Sequence, residues 1–217
     1  MQLTWEGTGR RTILREEEAV IRDRLADAAR LGEWDVVFEL SEGSRRVNLP
    51  RLGGWSRFAP LHQAAFQGAP EPIVQRLLTF GAWRTLRTTD GETAADIAAA
   101  RGRDHLAVML EPELSREISA STLAQLECQL RAVIFGRAFD LCTESRFRTP
   151  PVGPLLEYPD AVMWCPIPGM YGGFSITFDP DGADELIVES WCRVAGGSGQ
   201  RHRVRPDGFE LVEEGFV

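Results

Sequence analysis

The sequence predicts an α+β protein in which an all-α solenoid of about three repeats precedes a helix and a small antiparallel β-sheet. Two observations predict this arrangement. Paired alanines followed by glycine recur through the first half, and apolar alternation between Pro, Gly and Asp turns fills the last third. The expected domains are an N-terminal extension over 1–15, the repeats over 16–117, and the helix with its β-meander over 118–217.

Each repeat is marked by two adjacent alanines and a glycine shortly after them. The three sets are Ala28-Ala29 with Gly32, Ala64-Ala65 with Gly68, and Ala98-Ala99 with Gly102. The glycines are 36 and 34 residues apart. Small side chains let neighbouring helices approach closely, and glycine ends a helix readily because it accepts a left-handed backbone. Apolar stripes after each glycine predict a second helix in every repeat.

Residues 59–68, which read APLHQAAFQG, carry the most specific pattern in this half. They resemble the T-P-L-H-x-A signature of the ankyrin-repeat family, and the resemblance extends over about residues 16–114. It implies stacked helix pairs and a structural role for His62, which falls on the motif histidine that hydrogen-bonds turn backbone. It also implies protein binding through the turn tips and the inner helix face.

That resemblance places several aromatic, arginine and polar side chains on the expected partner-binding surface. These residues are Trp55, Ser56, Arg57, Phe66, Gln67, Trp83 and Arg84. Large aromatics and arginine are the residue types that anchor protein interfaces. Phe58 and Trp83 have an alternative role in internal packing. Trp55 and Arg57 are the preferred candidates because they follow Gly53-Gly54 at an expected tip.

The second half changes from helix to strand signals. Ser121 is expected to cap a helix over 122–141, and a meander of four or five strands follows from about 162. The stretches 164–174 (WCPIPGMYGGF) and 188–193 (VESWCR) resemble an uncharacterised domain that follows ankyrin repeats in some bacterial proteins. This resemblance implies no activity.

The loop 166–173 is a further candidate for partner binding. Two prolines stiffen it, and its apolar side chains, Met170 and Tyr171, are suited to recognition because a rigid loop loses little entropy on binding. The alternative is that Tyr171 folds back as a lid on the sheet.

The β-region also permits chemistry, which forms the competing hypothesis of an enzyme or a small-anion sensor. An anion could bind at Arg193, Arg201, His202 and Arg203, or along the glycine-rich segment 196–203, although an ordinary hairpin turn is the simpler reading of that segment. Cys165 or Cys192 could act as a nucleophile with His202 and Glu189. A buried, inert thiol is the default for such cysteines, so no catalytic residue is assigned.

Composition limits the function classes. The net charge is −8, and all 24 basic residues are arginine. The absence of lysine excludes a phosphate-binding P-loop and a pyridoxal Schiff base. No C-x-x-C or H-E-x-x-H pattern occurs, so we expect no metal and no cofactor. Neither half is basic enough to favour nucleic acid, and no apolar run suits a membrane helix.

These observations favour a cytoplasmic, non-enzymatic protein-interaction module. A more specific version is an immunity or antitoxin-like protein that binds a basic partner, because the acidic net charge would steer that encounter.

Overall fold

A computed structural model describes residues 1–42, 46–181, 184–193 and 198–215. The chain forms two compact units, Leu14–Glu113 and Met1–Ile13 with Leu114–Val217. The described residues contain eight α-helices and a six-stranded mixed sheet, so the protein is α+β. Within these ranges, no helix combines the length and the apolar character that crossing a lipid bilayer requires.

The unit Leu14–Glu113 consists of three successive helix pairs. They are α1 (Glu16–Leu31) with α2 (Trp34–Ser41), α3 (Pro60–Gln67) with α4 (Glu71–Thr79), and α5 (Ala94–Ala100) with α6 (Asp104–Leu110). Each helix packs on its pair partner, and α3 also contacts α1 and α5. The alanine pairs lie in the first helices, and all of these alanines except the exposed Ala99 are buried, which lets those helices approach. The helices predicted around the alanines and the apolar stripes are confirmed.

The predicted helix-ending glycines have the expected backbone. Gly32, Gly68 and Gly102 have φ values of 77°, 70° and 66°, in the left-handed region that only glycine adopts at little cost. At Gly32 and Gly68 the backbone N–H closes the preceding helix on the carbonyls of its last turn.

The second unit contains α7 (Ala120–Glu144), α8 (Pro154–Glu157) and the whole sheet. The strands are β1 (Gln2–Thr4), β2 (Val162–Ile167), β3 (Gly172–Phe178), β4 (Leu186–Cys192), β5 (Ser198–Arg205) and β6 (Gly208–Glu214), in that spatial order. The pairs from β2 to β6 are antiparallel, which confirms the predicted meander. The predicted turns 179–182 and 195–199, and the predicted strand end at Val194, lie partly outside the described residues.

The sheet is mixed rather than purely antiparallel, because β1 pairs with β2 in parallel. Residues 1–13, most of the extension predicted over 1–15, are part of this unit, whereas residues 14 and 15 belong to the helical unit. Trp5 fixes the segment: its backbone N–H donates to Trp164 O at 2.9 Å, and its indole Nε1–H donates to Arg148 O at 2.7 Å. A strand of three residues is too short to show alternation in sequence.

The long helix α7 begins two residues before the predicted position. Ser119, not Ser121, is its N-cap, and the Ser119 hydroxyl accepts the Thr122 N–H at 3.0 Å. The helix is kinked at Ala138, where φ is −138° and ψ is 41°.

We expect Ser119→Ala to destabilise the unit by about 1 kcal/mol, because the hydroxyl satisfies an amide that otherwise has no partner in the helix. Ser121→Ala is the matched control, since Ser121 does not accept the capping hydrogen bond. Urea unfolding of both variants measures the difference. Equal loss in the two variants would contradict the assignment of the cap.

Candidate functional site

The helical unit carries an open groove of about 390 Å³ beside its inner helices. Its walls are α1, α3 and the segment 51–58, and the residues that line it are Ala26, Ala29, Arg30, Arg51, Gly54, Trp55, Ser56, Arg57, Phe58, Pro60 and Gln63. Trp55 is 85% exposed, the largest exposed fraction among the large apolar side chains described. The groove brings together Trp55 and Arg57, which the sequence favoured for partner binding, and Ser56, which lies between them.

The backbone of this segment is held in place while its side chains stay exposed. The Thr89 N–H donates to Ser56 O at 3.1 Å, and the Thr89 hydroxyl donates to Trp55 O. Arg57 has a φ of 58°, a left-handed conformation that costs a non-glycine residue about 1 kcal/mol or more. A fixed backbone lowers the entropy lost when Trp55 and Arg57 contact a partner.

The groove is locally cationic although the whole chain is acidic. Arg51 forms an ion pair with Asp27 and lies 4.0 Å from Asp23, and Arg30 lies 3.7 Å from Asp27. Arg57 has no ion-pair or hydrogen-bond partner in the part of the chain that the structure describes. Its charge is therefore available at the groove beside Trp55.

Phe66 lies on α3 outside the groove lining and is 39% exposed. The guanidinium carbon of Arg101 lies 3.4 Å from the centre of its ring, and the Phe58 ring lies 6.0 Å away in an edge-on arrangement. Arg101 covers one ring face by a cation–π contact, so Phe66 offers a partner only part of its surface.

The other predicted residues of this unit have internal contacts and do not line the groove. The Gln67 side chain donates to Ala29 O at 2.7 Å and so caps the end of α1. Arg84 donates to Met109 O at 3.3 Å, near the end of α6. Trp83 is only 4% exposed, consistent with the packing alternative and with little surface for a partner. The sequence already favoured Trp55 over Trp83, because Trp55 follows Gly53-Gly54 at an expected tip.

His62 has the structural role that the resemblance implied. Its Nδ1 accepts the Ala59 N–H at 3.1 Å, so the proton is on Nε2, which donates to Leu86 O at 3.0 Å. Burial lowers the pKa of His62 to about 4, against the opposing effect of the Leu86 hydrogen bond. The neutral imidazole thus joins the start of α3 to the segment before α5.

The β2–β3 hairpin separates the two residues predicted to act together. The Met170 N–H donates to Ile167 O at 3.1 Å and closes a turn in which Gly169 has a φ of 82°. Met170 is 4% exposed, whereas Tyr171 is 75% exposed with a φ of 52°. The lid alternative was therefore wrong for Tyr171, and Met170 is the buried residue of the pair.

The predicted anion site is not assembled, because alternate residues of β5 face opposite sides of the sheet. Arg201 pairs with Glu189 at 2.7 Å and with Glu213, and Arg203 lies 3.4 Å from Glu185. Carboxylates thus neutralise this face. His202 is on the other face. Arg193 lies outside β5, with its guanidinium carbon 5.2 Å from the centre of the Trp191 ring.

The thiol arrangement is not assembled either. Cys192 pairs with Ser198 and His202 pairs with Val188, so the two side chains are four positions apart along the strands. The Glu189 carboxylate accepts a hydrogen bond from Arg201 instead of orienting His202. Burial, and then the proximity of Cys142, raise the pKa of Cys165 well above its ordinary value, as befits an inert thiol.

A cavity of about 240 Å³, which the sequence pattern does not predict, lies between α7 and the last two strands. Its lining residues are Ala132, Val133, Gly136, Arg137, Gln200, His202 and Phe209. Arg137 and His202 are far apart in sequence. The only local sign of the cavity is Gly136, a glycine inside a helix. In the described ranges no three His, Cys, Asp or Glu side chains cluster as a metal site would require.

Comparison with protein-family models gave no match, and comparison with curated proteins gave no significant match.

Proposed function

We propose that the chain is an ankyrin-repeat interaction module that holds a segment of a partner protein in the groove lined by Trp55 and Arg57. The observation that carries the proposal is an 85% exposed tryptophan on a fixed backbone segment at the edge of a groove. Exposed aromatics on preorganised segments are typical anchors of protein interfaces.

Three features support the ankyrin part of the proposal. Helix pairs follow one another at the spacing of the glycines, the first helices contact each other, and His62 bonds turn backbone at the motif position. In such a stack the first helices and the preceding turns form one concave surface. The groove lies against α1 and α3, where an ankyrin stack would bind its partner.

The groove favours an acidic, apolar partner segment. Arg57 is unpaired within the described residues, and Arg30 adds a second cation whose nearest carboxylate, Asp27, is shared with Arg51. A carboxylate from the partner would complete a charge-assisted hydrogen bond to Arg57, while an adjacent apolar side chain would cover Trp55. The basic partner suggested by the net charge of −8 remains a prediction about the whole surface.

Selection of random linear peptides displayed on phage against the full chain tests this proposal. We expect enriched peptides in which Asp or Glu stands next to Leu, Met or Phe. Synthetic copies should lose about tenfold or more in affinity for Trp55→Ala, because an interface anchor is removed. Arg57→Gly should weaken binding and reduce its salt dependence, and glycine suits the positive φ at that position.

Val108→Ala is the matched control, since Val108 is 79% exposed on α6 and does not line the groove. Its affinity for the peptides should equal that of the wild type. Enrichment of Lys- and Arg-rich peptides would overturn the acidic-segment proposal. Peptides bound equally by Trp55→Ala would overturn the groove itself.

A further inference from the structure

We propose that the cavity between α7, β5 and β6 binds the phosphate group of a small phosphorylated metabolite, with Arg137 and His202 as its principal contacts. The groups that point to it are a guanidinium without a carboxylate partner among the described residues, an imidazole whose buried Nδ1 has no hydrogen-bond partner there, and a helical glycine that leaves the space open. The site lies on the sheet face opposite the neutralised Arg201 and Arg203.

His202 is the first observation. Its side chain lines the cavity and is only 9% exposed, yet Nδ1 is buried without a hydrogen-bond partner among the described residues. Burying a polar atom without a hydrogen-bond partner costs about 1–3 kcal/mol of stability. A ligand that binds to His202 Nδ1 would offset this cost. The Phe209 ring stands edge-on 6.1 Å from the imidazole and limits where it can turn.

Arg137 is the second observation. One of its terminal nitrogens donates to Ser198 Oγ at 2.5 Å and approaches Ser198 O at 3.4 Å, which fixes the guanidinium at the cavity. No carboxylate of the described chain pairs with it. The remaining donors of the fork are free of partners there, and a guanidinium fork matches two phosphate oxygens.

Gly136 is the third observation. It lies inside α7, where glycine costs about 1 kcal/mol relative to alanine. A Cβ at this position would meet no atom within 4 Å, so packing within the described residues does not require glycine there. Gly136 lines the cavity and immediately precedes Arg137, and the helix is kinked two residues after Gly136, at Ala138.

The donors surround the cavity from two sides. Arg137 comes from the helix, where Ser198 of β5 holds it, whereas the His202 imidazole comes from β5. The three acceptor oxygens of a phosphate group point in different directions, so they can accept hydrogen bonds from both sides of the cavity. A planar carboxylate, with two oxygens, matches this arrangement less well. The Phe209 ring supplies an apolar surface for the group that carries the phosphate.

The charges of Arg137 and Glu214 act on the pKa of His202 in opposite directions. Burial lowers the pKa of His202, the positive charge of Arg137 lowers it further, and Glu214 acts in the opposite direction. Glu214 accepts a hydrogen bond from Gln200 at 2.8 Å and stands at the exposed edge. A bound phosphate would raise the pKa of His202, because it stabilises the imidazolium, and Glu214 would oppose the incoming anion.

The test is a titration of the full chain with inorganic phosphate and phenyl phosphate, followed by the imidazole resonances in NMR spectra. The chain has only three histidines, so His202 is assigned by its loss in His202→Gln. We expect a saturable shift of the His202 resonances at millimolar ligand. Phenyl phosphate should bind more tightly than inorganic phosphate, because its ring contacts Phe209.

Three variants separate binding from folding. Arg137→Gln should weaken phenyl phosphate about tenfold. Gly136→Leu should abolish binding while the melting temperature stays equal or rises, because leucine favours the helix and fills the cavity. Glu214→Gln should tighten binding, since it removes a like charge. Val212→Ala, on exposed β6 but outside the cavity lining, is the control and should bind as the wild type does.

The absence of a saturable His202 shift with both ligands would overturn the proposal. Binding that persists in both Arg137→Gln and Gly136→Leu would also overturn it. Benzoate bound as tightly as phenyl phosphate would overturn the assignment to phosphate.

Discussion

Replacing His62 with alanine is expected to cost about 3 kcal/mol of unfolding free energy at neutral pH. The side chain is 1% exposed and holds both Ala59 N–H and Leu86 O, so truncation leaves two backbone groups of the interior without their partner. Urea unfolding followed by circular dichroism at the helix band measures the loss. Little change in stability would contradict the structural role of His62.

The same residue makes stability depend on pH. Because the pKa of His62 is about 4 in the folded chain and 6.5 ordinarily, the unfolded chain binds more protons between these values. Its contribution is therefore fully present above about pH 6.5 and falls as the pH drops towards 4. The loss between pH 7 and pH 4.5 should be roughly 2–3 kcal/mol from this residue.

His62→Gln isolates this effect, since glutamine does not titrate and carries both a donor and an acceptor. Between pH 7 and pH 4.5 we expect the unfolding free energy of His62→Gln to fall by roughly 2–3 kcal/mol less than that of the wild type. His105→Gln, at an exposed histidine of α6, is the matched control and should retain the wild-type pH profile. Identical profiles for the wild type and His62→Gln would rule out the buried neutral imidazole.

The features that sequence predicted well are those that local chemistry decides. Gly68 ends α3 in the left-handed region because few other residues accept that backbone, and Pro60 begins the same helix because the first turn needs no N–H there. Such requirements act within a few residues and leave a readable pattern. The alternation of β5 is equally local, which is why the meander was readable.

The features that sequence missed depend on residues that meet only through the fold. Arg137 and Ser198 are 61 positions apart, and no local sequence pattern around either residue predicts their contact. The predicted anion site failed for a related reason. It grouped neighbours along one strand, whereas the pleat sends Arg201 and His202 to opposite faces and cross-strand carboxylates occupy the arginine.

The N-terminal strand shows a third limit. Gln2–Thr4 completes the sheet by pairing with Val162–Trp164, but three residues carry too little pattern to be recognised as a strand. Its partner strand begins 160 positions later in the sequence, since Gln2 pairs with Val162. The parallel pairing therefore depends on tertiary contacts such as those of Trp5, which no local window contains.

Gly173→Ala is expected to destabilise the sheet-bearing unit by about 3 kcal/mol or more, because strand β3 cannot move away from either neighbour. Gly173 pairs with Pro166 in β2 and Trp191 in β4. An alanine Cβ there would lie 2.3 Å from Cys165 O and 2.8 Å from Pro166 Cα, and backbone atoms inside a sheet yield little. Thermal unfolding followed by near-ultraviolet circular dichroism measures the loss.

Gly208→Ala is the matched control on the same sheet. A Cβ at Gly208 would meet no atom within 4 Å, and this glycine does not have a positive φ. Alanine there should be neutral or stabilising by up to about 1 kcal/mol, because it restricts the unfolded chain. Equal effects of the two substitutions would mean that close strand approach at Gly173 is not what requires glycine. The contrast therefore tests the packing of β3 between its neighbours.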